Sequence, residues 1–156
     1  MHPELKQGDI VLQEGKPVYI GRATAPSELF EILELDHFCL TTAQPEAMVS
    51  FYRLLGLKVR KEGERYEIEF PHFKINLHVI GYPILPEAKV AVPGTGDFCL
   101  EIKTGSDLSE IAEAFRRLDI FVEGPVIRHG RKGEMTSVYL RDPDQNLVEL
   151  AVYPKQ

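Results

Sequence analysis

The tripeptide Phe-Cys-Leu occurs twice, at 38–40 and at 98–100, each time inside a short apolar run. The runs are Leu35-Asp36-His37-Phe38-Cys39-Leu40 and Thr95-Gly96-Asp97-Phe98-Cys99-Leu100. Cys39 and Cys99 stand 60 residues apart, the length of one supersecondary unit, so the chain has to build its core from two copies of one motif. The signals after each copy come in the same order. After the first, Pro45 suits an opening helical turn, Ala47, Met48, Phe51, Leu54 and Leu55 form one stripe, and Gly56 ends it. After the second, Asp107 and Glu110 have capping-box spacing, and Leu108, Ile111, Phe115 and Leu118 share a face.

Three short strands follow in each half. They are expected at 57–61, 66–70 and 73–79, then at 121–127, 136–140 and 146–152. Asp142-Pro143-Asp144-Gln145-Asn146 marks the last hairpin, and the stretch Gly81 to Gly96, with Pro83, Pro86 and Pro93, reads as the connection between halves. Each half is therefore βαβββ. Four strands and one helix leave a sheet face open, so the two halves should pack together as one α+β domain. Its modules span 35–80 and 96–153, ending near Tyr153, after an N-terminal extension over 1–34. In that extension Ile10-Val11-Leu12 and Val18-Tyr19-Ile20 flank Gly15 like a hairpin, and Ser27 to Leu33 suits a helical turn.

Composition narrows the function classes. A chain of 156 residues that is 44% hydrophobic can bury one good core. Its net charge of -6 argues against nucleic-acid binding. No apolar run approaches the roughly 20 residues of a membrane span, and Met1 to Leu12 has no signal-peptide core. Two cysteines are too few for a disulfide scaffold, which points to a reducing, cytoplasmic setting.

Strand side chains alternate between faces, and the alternation picks out four polar residues. Phe38 and Leu40 oppose His37, and Ile75, Leu77 and Val79 oppose His78. Phe98 and Leu100 oppose Asp97, and Val148 and Leu150 oppose Glu149. If the apolar faces pack on the helices, these four project from the other side of the sheets. Taking His37 as the counterpart of Asp97, and His78 as that of Glu149, four donors arise from two repeated positions. Neutral imidazoles with carboxylates suit a divalent ion such as Zn, Ni, Mn or Fe. Asp97 can bind directly, bind through water, or orient another ligand.

The chain resembles the vicinal oxygen chelate superfamily, which includes glyoxalase I, extradiol dioxygenases and the fosfomycin- and bleomycin-resistance proteins. The resemblance rests on Leu35-Asp36-His37, Phe51-Tyr52-Arg53-Leu54-Leu55-Gly56-Leu57 and Tyr139-Leu140-Arg141-Asp142-Pro143-Asp144-Gln145-Asn146-Leu147-Val148-Glu149. Ile75-Asn76-Leu77-His78, Val92-Pro93-Gly94 and Glu123-Gly124-Pro125-Val126 look most like the glyoxalase domain-containing subgroup. The resemblance implies two βαβββ modules forming a cupped, incomplete β-barrel with its helices outside, around a divalent metal. His37, His78, Glu149 and Asp97 are then the ligand set, although glyoxalase I usually has Glu where His78 stands and His where Asp97 stands. It implies a lyase or isomerase acting on a small molecule with adjacent oxygens, with Glu149 as the base that removes a proton and an enediolate as the stabilised species. Alternatives are an Fe-dependent ring-cleaving dioxygenase and a non-catalytic drug-binding protein. Many relatives exchange modules between subunits, which implies a homodimer.

Three further features are secondary. Arg128, His129, Arg131 and Lys132 crowd a stretch between glycines that reads as a surface loop, or as a clamp in which Arg128, Arg131 and Lys132 guide an anionic substrate. Cys39 and Cys99 are expected to be buried and inert. Arg141 reads as a strand-end charge beside Asp142 and Asp144.

Overall fold

The structure is a computed structural model and describes residues 10–19 and 29–155. It divides the chain into two compact units, Met1–Leu35 and Asp36–Gln156. In the first, β1 (Ile10–Gln13) and β2 (Lys16–Tyr19) pair antiparallel. The two residues between them, Glu14 and Gly15, both take positive φ, 51° and 76°, as a tight hairpin turn requires. Of the expected helical turn at 27–33, residues 27 and 28 lie outside the described residues, and 29–33 contains no helix. Ile20 also lies outside them.

The second unit contains the duplication. Its first half runs β3 (His37–Thr42), α1 (Pro45–Leu54), β4 (Lys58–Glu62), β5 (Arg65–Glu69) and β6 (Lys74–Val79). Its second half runs β7 (Asp97–Glu101), α2 (Leu108–Arg117), β8 (Phe121–Gly130), β9 (Gly133–Arg141) and β10 (Leu147–Val152). Each half makes a four-stranded sheet, ordered β3-β6-β5-β4 and β7-β10-β9-β8. In both, the first and last strands of the module lie side by side and parallel, and the other pairings are antiparallel. The architecture is α+β, and the described strands form no closed barrel. Among the described residues no helix is long and apolar enough to cross a membrane.

Local chemistry explains both helices. Pro45 starts α1, where its missing N–H is no loss, and Gly56, at φ 84°, takes the left-handed conformation just past its end. The face α1 buries is Met48, Val49, Phe51 and Tyr52, whereas Leu54, expected in the stripe, is 60% exposed. The buried stripe is thus centred about one residue away from the expected one, because Tyr52 turns inward to meet a buried polar group. Asp107 caps α2 by accepting from the N–H groups of Ser109 and Glu110. Leu108, Ala112 and Phe115 are its buried positions.

The apolar sheet faces and the two helices share one core, in which Tyr52, Met48, Ile68, Ile75, Leu77, Val138, Leu140 and Val148 are fully buried. Each such aliphatic side chain contributes about 1.5–3 kcal/mol by leaving water. Phe38 meets Phe98 edge to face, with centroids 5.4 Å apart, so the two copies of the repeated tripeptide touch. A buried polar knot makes the second link between modules. The Tyr52 hydroxyl donates to Asp142 Oδ2 at 3.0 Å, and Asn146 donates its Nδ2 and its backbone N–H to the Asp142 carboxylate. The Asn146 side-chain oxygen accepts from the Gly96 N–H at 2.7 Å. A Cβ at Gly96 would lie 2.7 Å from Leu40 Cδ2 and 2.9 Å from Asn146 Oδ1, so a larger residue there would displace both the core and the polar knot.

Two expectations need correction. Arg128 and His129 do not lie in a loop: β8 extends through Gly130 and pairs Arg128 with Met135 and His129 with Glu134 of β9, leaving a two-residue turn at Arg131 and Lys132. The counterparts in the repeat also differ. Cys39 is level with Asn76 across the β3–β6 pair, and Cys99 is level with Glu149 across β7–β10. Asn76 is therefore the counterpart of Glu149, and His78 lies one pleat further along.

Candidate metal and substrate site

The polar faces of both sheets carry the four residues singled out from the sequence. On the first sheet, His37 is level with Lys74, and Thr41 is level with His78. The two histidines therefore share a face but are four residues out of step, about 13 Å along the strands. The Nδ1 of His37 bonds to Asp36 Oδ1 at 2.5 Å, which leaves Nε2 as the free ring nitrogen. His78 Nε2 is buried without a hydrogen-bond partner. Burial, then the neighbouring charges of Arg65 and His37, hold its pKa below the ordinary value against the opposing pull of Glu87. The ring is thus kept in the neutral form that can donate a lone pair.

On the second sheet Asp97 is exposed and level with Leu147, while Glu149 is half-buried between Cys99 and Tyr139. Glu149 Oε1 is buried without a partner. Burial, and then the Glu149 carboxylate beside it, push the Cys99 thiol up to about 12. Burial likewise raises the Tyr139 phenol, Glu149 adds to this, and Arg128 opposes it. Arg128 Nε donates to the Tyr139 hydroxyl at 3.1 Å, and its Nη2 pairs with Glu123 at 3.2 Å. Cys39 and Cys99 are free and exposed as residues, contrary to the expected burial, because they sit on the polar faces with His37 and Asp97, although the Cys99 thiol itself is partly covered beside Glu149. Cys99 is still a protonated, weakly nucleophilic thiol near neutral pH.

Within one chain the donors do not converge. Among the described residues no three His, Cys, Asp or Glu side chains gather closely enough to hold one ion. The donor types nevertheless suit a divalent metal: two imidazoles, two carboxylates, and an orphaned donor atom on each sheet. The imidazoles belong to the first module and the carboxylates to the second.

The expected anion clamp is mostly engaged elsewhere. Arg128 is held by Tyr139 and Glu123, and Lys132 Nζ reaches both Glu101 oxygens at 2.9 and 2.7 Å. Arg131 makes no ion pair among the described residues. Sequence reasoning missed a different group of charges. Glu67, with a side chain only 4% exposed, accepts from Arg60 at 2.7 Å, Arg65 at 3.1 Å and Lys74 at 2.5 Å. Bonds from Lys74 and Arg60 lower its pKa to about 2. The cover over Glu67 is the cationic side chains themselves, of which Arg60 is 55% exposed. The signal was present: Arg65-Tyr66-Glu67-Ile68-Glu69 alternates as cleanly as the strands around it.

The chain is similar to known proteins in sequence and in fold. The family model described as the Glyoxalase/Bleomycin resistance protein/Dioxygenase superfamily matches residues 34–150. The glyoxalase domain-containing protein RDO1 of Mycosarcoma maydis is 39% identical over 127 residues, covering 78% of this chain and 69% of that protein. The solved structure of VPC_CASS1, from the mobile metagenome of V. Pseudocholerae, is 40% identical with a TM-score of 0.72, covering 81% of this chain and 98% of that one. The crystal structure of lactoylglutathione lyase from Agrobacterium tumefaciens shares the fold at 24% identity and a TM-score of 0.57, covering 75% of this chain and 91% of that one.

Proposed function

Because the chain belongs to the Glyoxalase/Bleomycin resistance protein/Dioxygenase superfamily, we propose that it is a metal-dependent lyase or isomerase of the glyoxalase kind. Its substrate is a small molecule with oxygens on adjacent carbons. The observation that carries this reading is the pair of orphaned donor atoms, His78 Nε2 and Glu149 Oε1, on the polar faces of the two sheets. His78 and Glu149 are the residues that would hold the ion, with Asp97 as a direct or outer ligand and His37, four residues out of step with His78 on the same sheet, as an outer one. A divalent cation there supplies the positive charge that polarises the substrate oxygens and steadies the anion left by proton loss.

The chain's own residues do the rest. Glu149 takes the proton from the carbon beside a carbonyl and returns it to the neighbouring carbon, so that atoms and charge balance in an isomerisation. Tyr139, tied to Arg128, flanks that carboxylate and limits its rotation. Arg131 is the member of the basic turn left to guide an anionic substrate inward. With imidazoles on one sheet and carboxylates on the other, the complete site forms in a homodimer, where each module of one protomer faces the other module of its partner. Two free thiols fit a reducing cytoplasm.

The test is Glu149→Gln in metal-loaded protein, with elemental analysis before and after chelation. The expected result is a folded dimer that has lost turnover on vicinal-oxygen substrates. Full activity in that variant would end the assignment of the base. Oxygen consumption on a catechol would redirect it to a dioxygenase.

A further inference from the structure

In the second unit two described residues other than glycine take a positive φ, Asp119 at 57° and Gln145 at 72°. Asp119 stands just past the end of α2, and Gln145 lies in the turn between β9 and β10. Glycine would fit either place with less strain, yet each carries a polar side chain. Both residues line one hollow of about 220 Å³, whose other walls are Phe51, Ile120, Phe121, Arg141, Asp142 and Pro143. None of His37, His78, Asp97 and Glu149 is among them. Drug-sized ligands occupy sites of roughly 300 Å³ upwards, so a ligand here is small.

The hollow carries one unspent charge of each sign. Asp142 is taken up by Tyr52 and by two bonds from Asn146. Arg141 donates Nη1 to the Gln145 carbonyl at 3.1 Å and its backbone N–H to the Ile120 carbonyl at 3.0 Å, which fixes it in place. Among the described residues neither Arg141 nor Asp119 makes an ion pair. Asp119 is also at the unfavourable end of a helix for a carboxylate, since the C-terminus of α2 carries partial negative charge of its own. Arg116 and Arg117 stand in that last turn, but both pair with Glu113, at 3.4 and 3.8 Å, and neither lines the hollow.

We propose that this hollow binds a free α-amino acid with an apolar side chain. Its ammonium meets Asp119 at the end of α2, its carboxylate meets Arg141, and its side chain rests against Phe51, Phe121 and Pro143. The chemistry selects that class. An ammonium has donors only and a guanidinium has donors only, so the first needs the Asp119 carboxylate and the second needs an anion. One free charge of each sign therefore calls for a zwitterion. The small volume requires the ligand's two charges to sit close together, as they do on either side of one carbon in an α-amino acid. The Gln145 carboxamide, both donor and acceptor, suits either end. This site needs no metal and shares no residue with the proposed reaction.

Full-length protein is titrated with L-leucine in the presence of chelator, which keeps the amino acid from binding through a metal. The backbone amides of Asp119, Ile120 and Gln145 are followed by NMR and are expected to shift saturably. 4-Methylpentanoate lacks the ammonium and 3-methylbutylamine lacks the carboxylate, so each should bind about tenfold or more weakly than leucine. Asp119→Gly suits the φ of 57° and keeps the fold, and it should weaken leucine binding about tenfold. Arg141→Gln, which retains the backbone bond to Ile120, should lose about as much. The proposal is overturned if leucine leaves the three amides unmoved, if either truncated ligand binds as tightly as leucine, or if either folded variant binds leucine as tightly as the parent.

Discussion

Replacing Tyr52 by Phe tests how the two modules are locked together. The change removes one hydroxyl from a fully buried site and leaves the ring, so packing is conserved and only the 3.0 Å bond to Asp142 is lost. A hydrogen bond to a buried charged group contributes about 1.5–3 kcal/mol. Asp142 keeps two donors from Asn146, which places the loss at the lower end, about 1.5–2 kcal/mol. For a chain of this size that lowers Tm by roughly 3–8 °C. The loss should also depend on pH. Burial raises the Asp142 pKa above its ordinary value, while bonds from Asn146 and Tyr52 pull it back. A raised folded-state pKa favours the fold when the group is protonated and costs stability as pH rises through it. Without the phenol the Asp142 pKa rises further, so the variant's deficit should be smallest in acid and grow towards neutral pH. Urea unfolding of parent and variant at several pH values measures this. A deficit under about 0.5 kcal/mol at pH 7, or one that is flat across the titration, would refute the reasoning.

Two further substitutions probe the polar faces. Glu67→Gln should cost roughly 1–2 kcal/mol at neutral pH, after discounting for the solvent around its exposed cations. The parent should lose that increment as pH falls from 4.5 through about 2, because the folded pKa is depressed, and the variant should lack the slope; acid unfolding curves compare them. Under the proposed function, Tyr139→Phe removes the hydroxyl between Arg128 and Glu149 and should lower kcat roughly tenfold with KM little changed, as measured by steady-state kinetics on the metal-loaded protein.

Much of this was legible in the sequence because strand alternation is a local signal. Parity alone put His37, His78, Asp97 and Glu149 on the polar faces, and the structure has all four there. Parity also decides the side for Cys39 and Cys99, so their exposure followed from the same alternation and the expectation of burial went against it. Partners set by long-range contacts are a different matter. Tyr52 turned inward to reach Asp142, 90 residues away, and no helical periodicity contains that. The β8–β9 hairpin ran through the basic stretch because Arg128 found Tyr139 and Lys132 found Glu101 across strands.

Register between strands is where parity fails, since a shift of two residues leaves every side chain on its own face. Pairing His78 with Glu149 as counterparts made such a shift. The observed pairings align Lys74-Ile75-Asn76-Leu77-His78-Val79 with Leu147-Val148-Glu149-Leu150-Ala151-Val152, in step with the Cys39 and Cys99 strands. In that frame Ile75 matches Val148, Leu77 matches Leu150 and Val79 matches Val152, an apolar agreement the sequence alone could have supplied. The consequence is chemical. The position that carries a carboxylate in the second module carries a neutral carboxamide in the first, so the two halves are not interchangeable. The polar face of the first sheet carries His37 and His78, and that of the second carries Asp97 and Glu149.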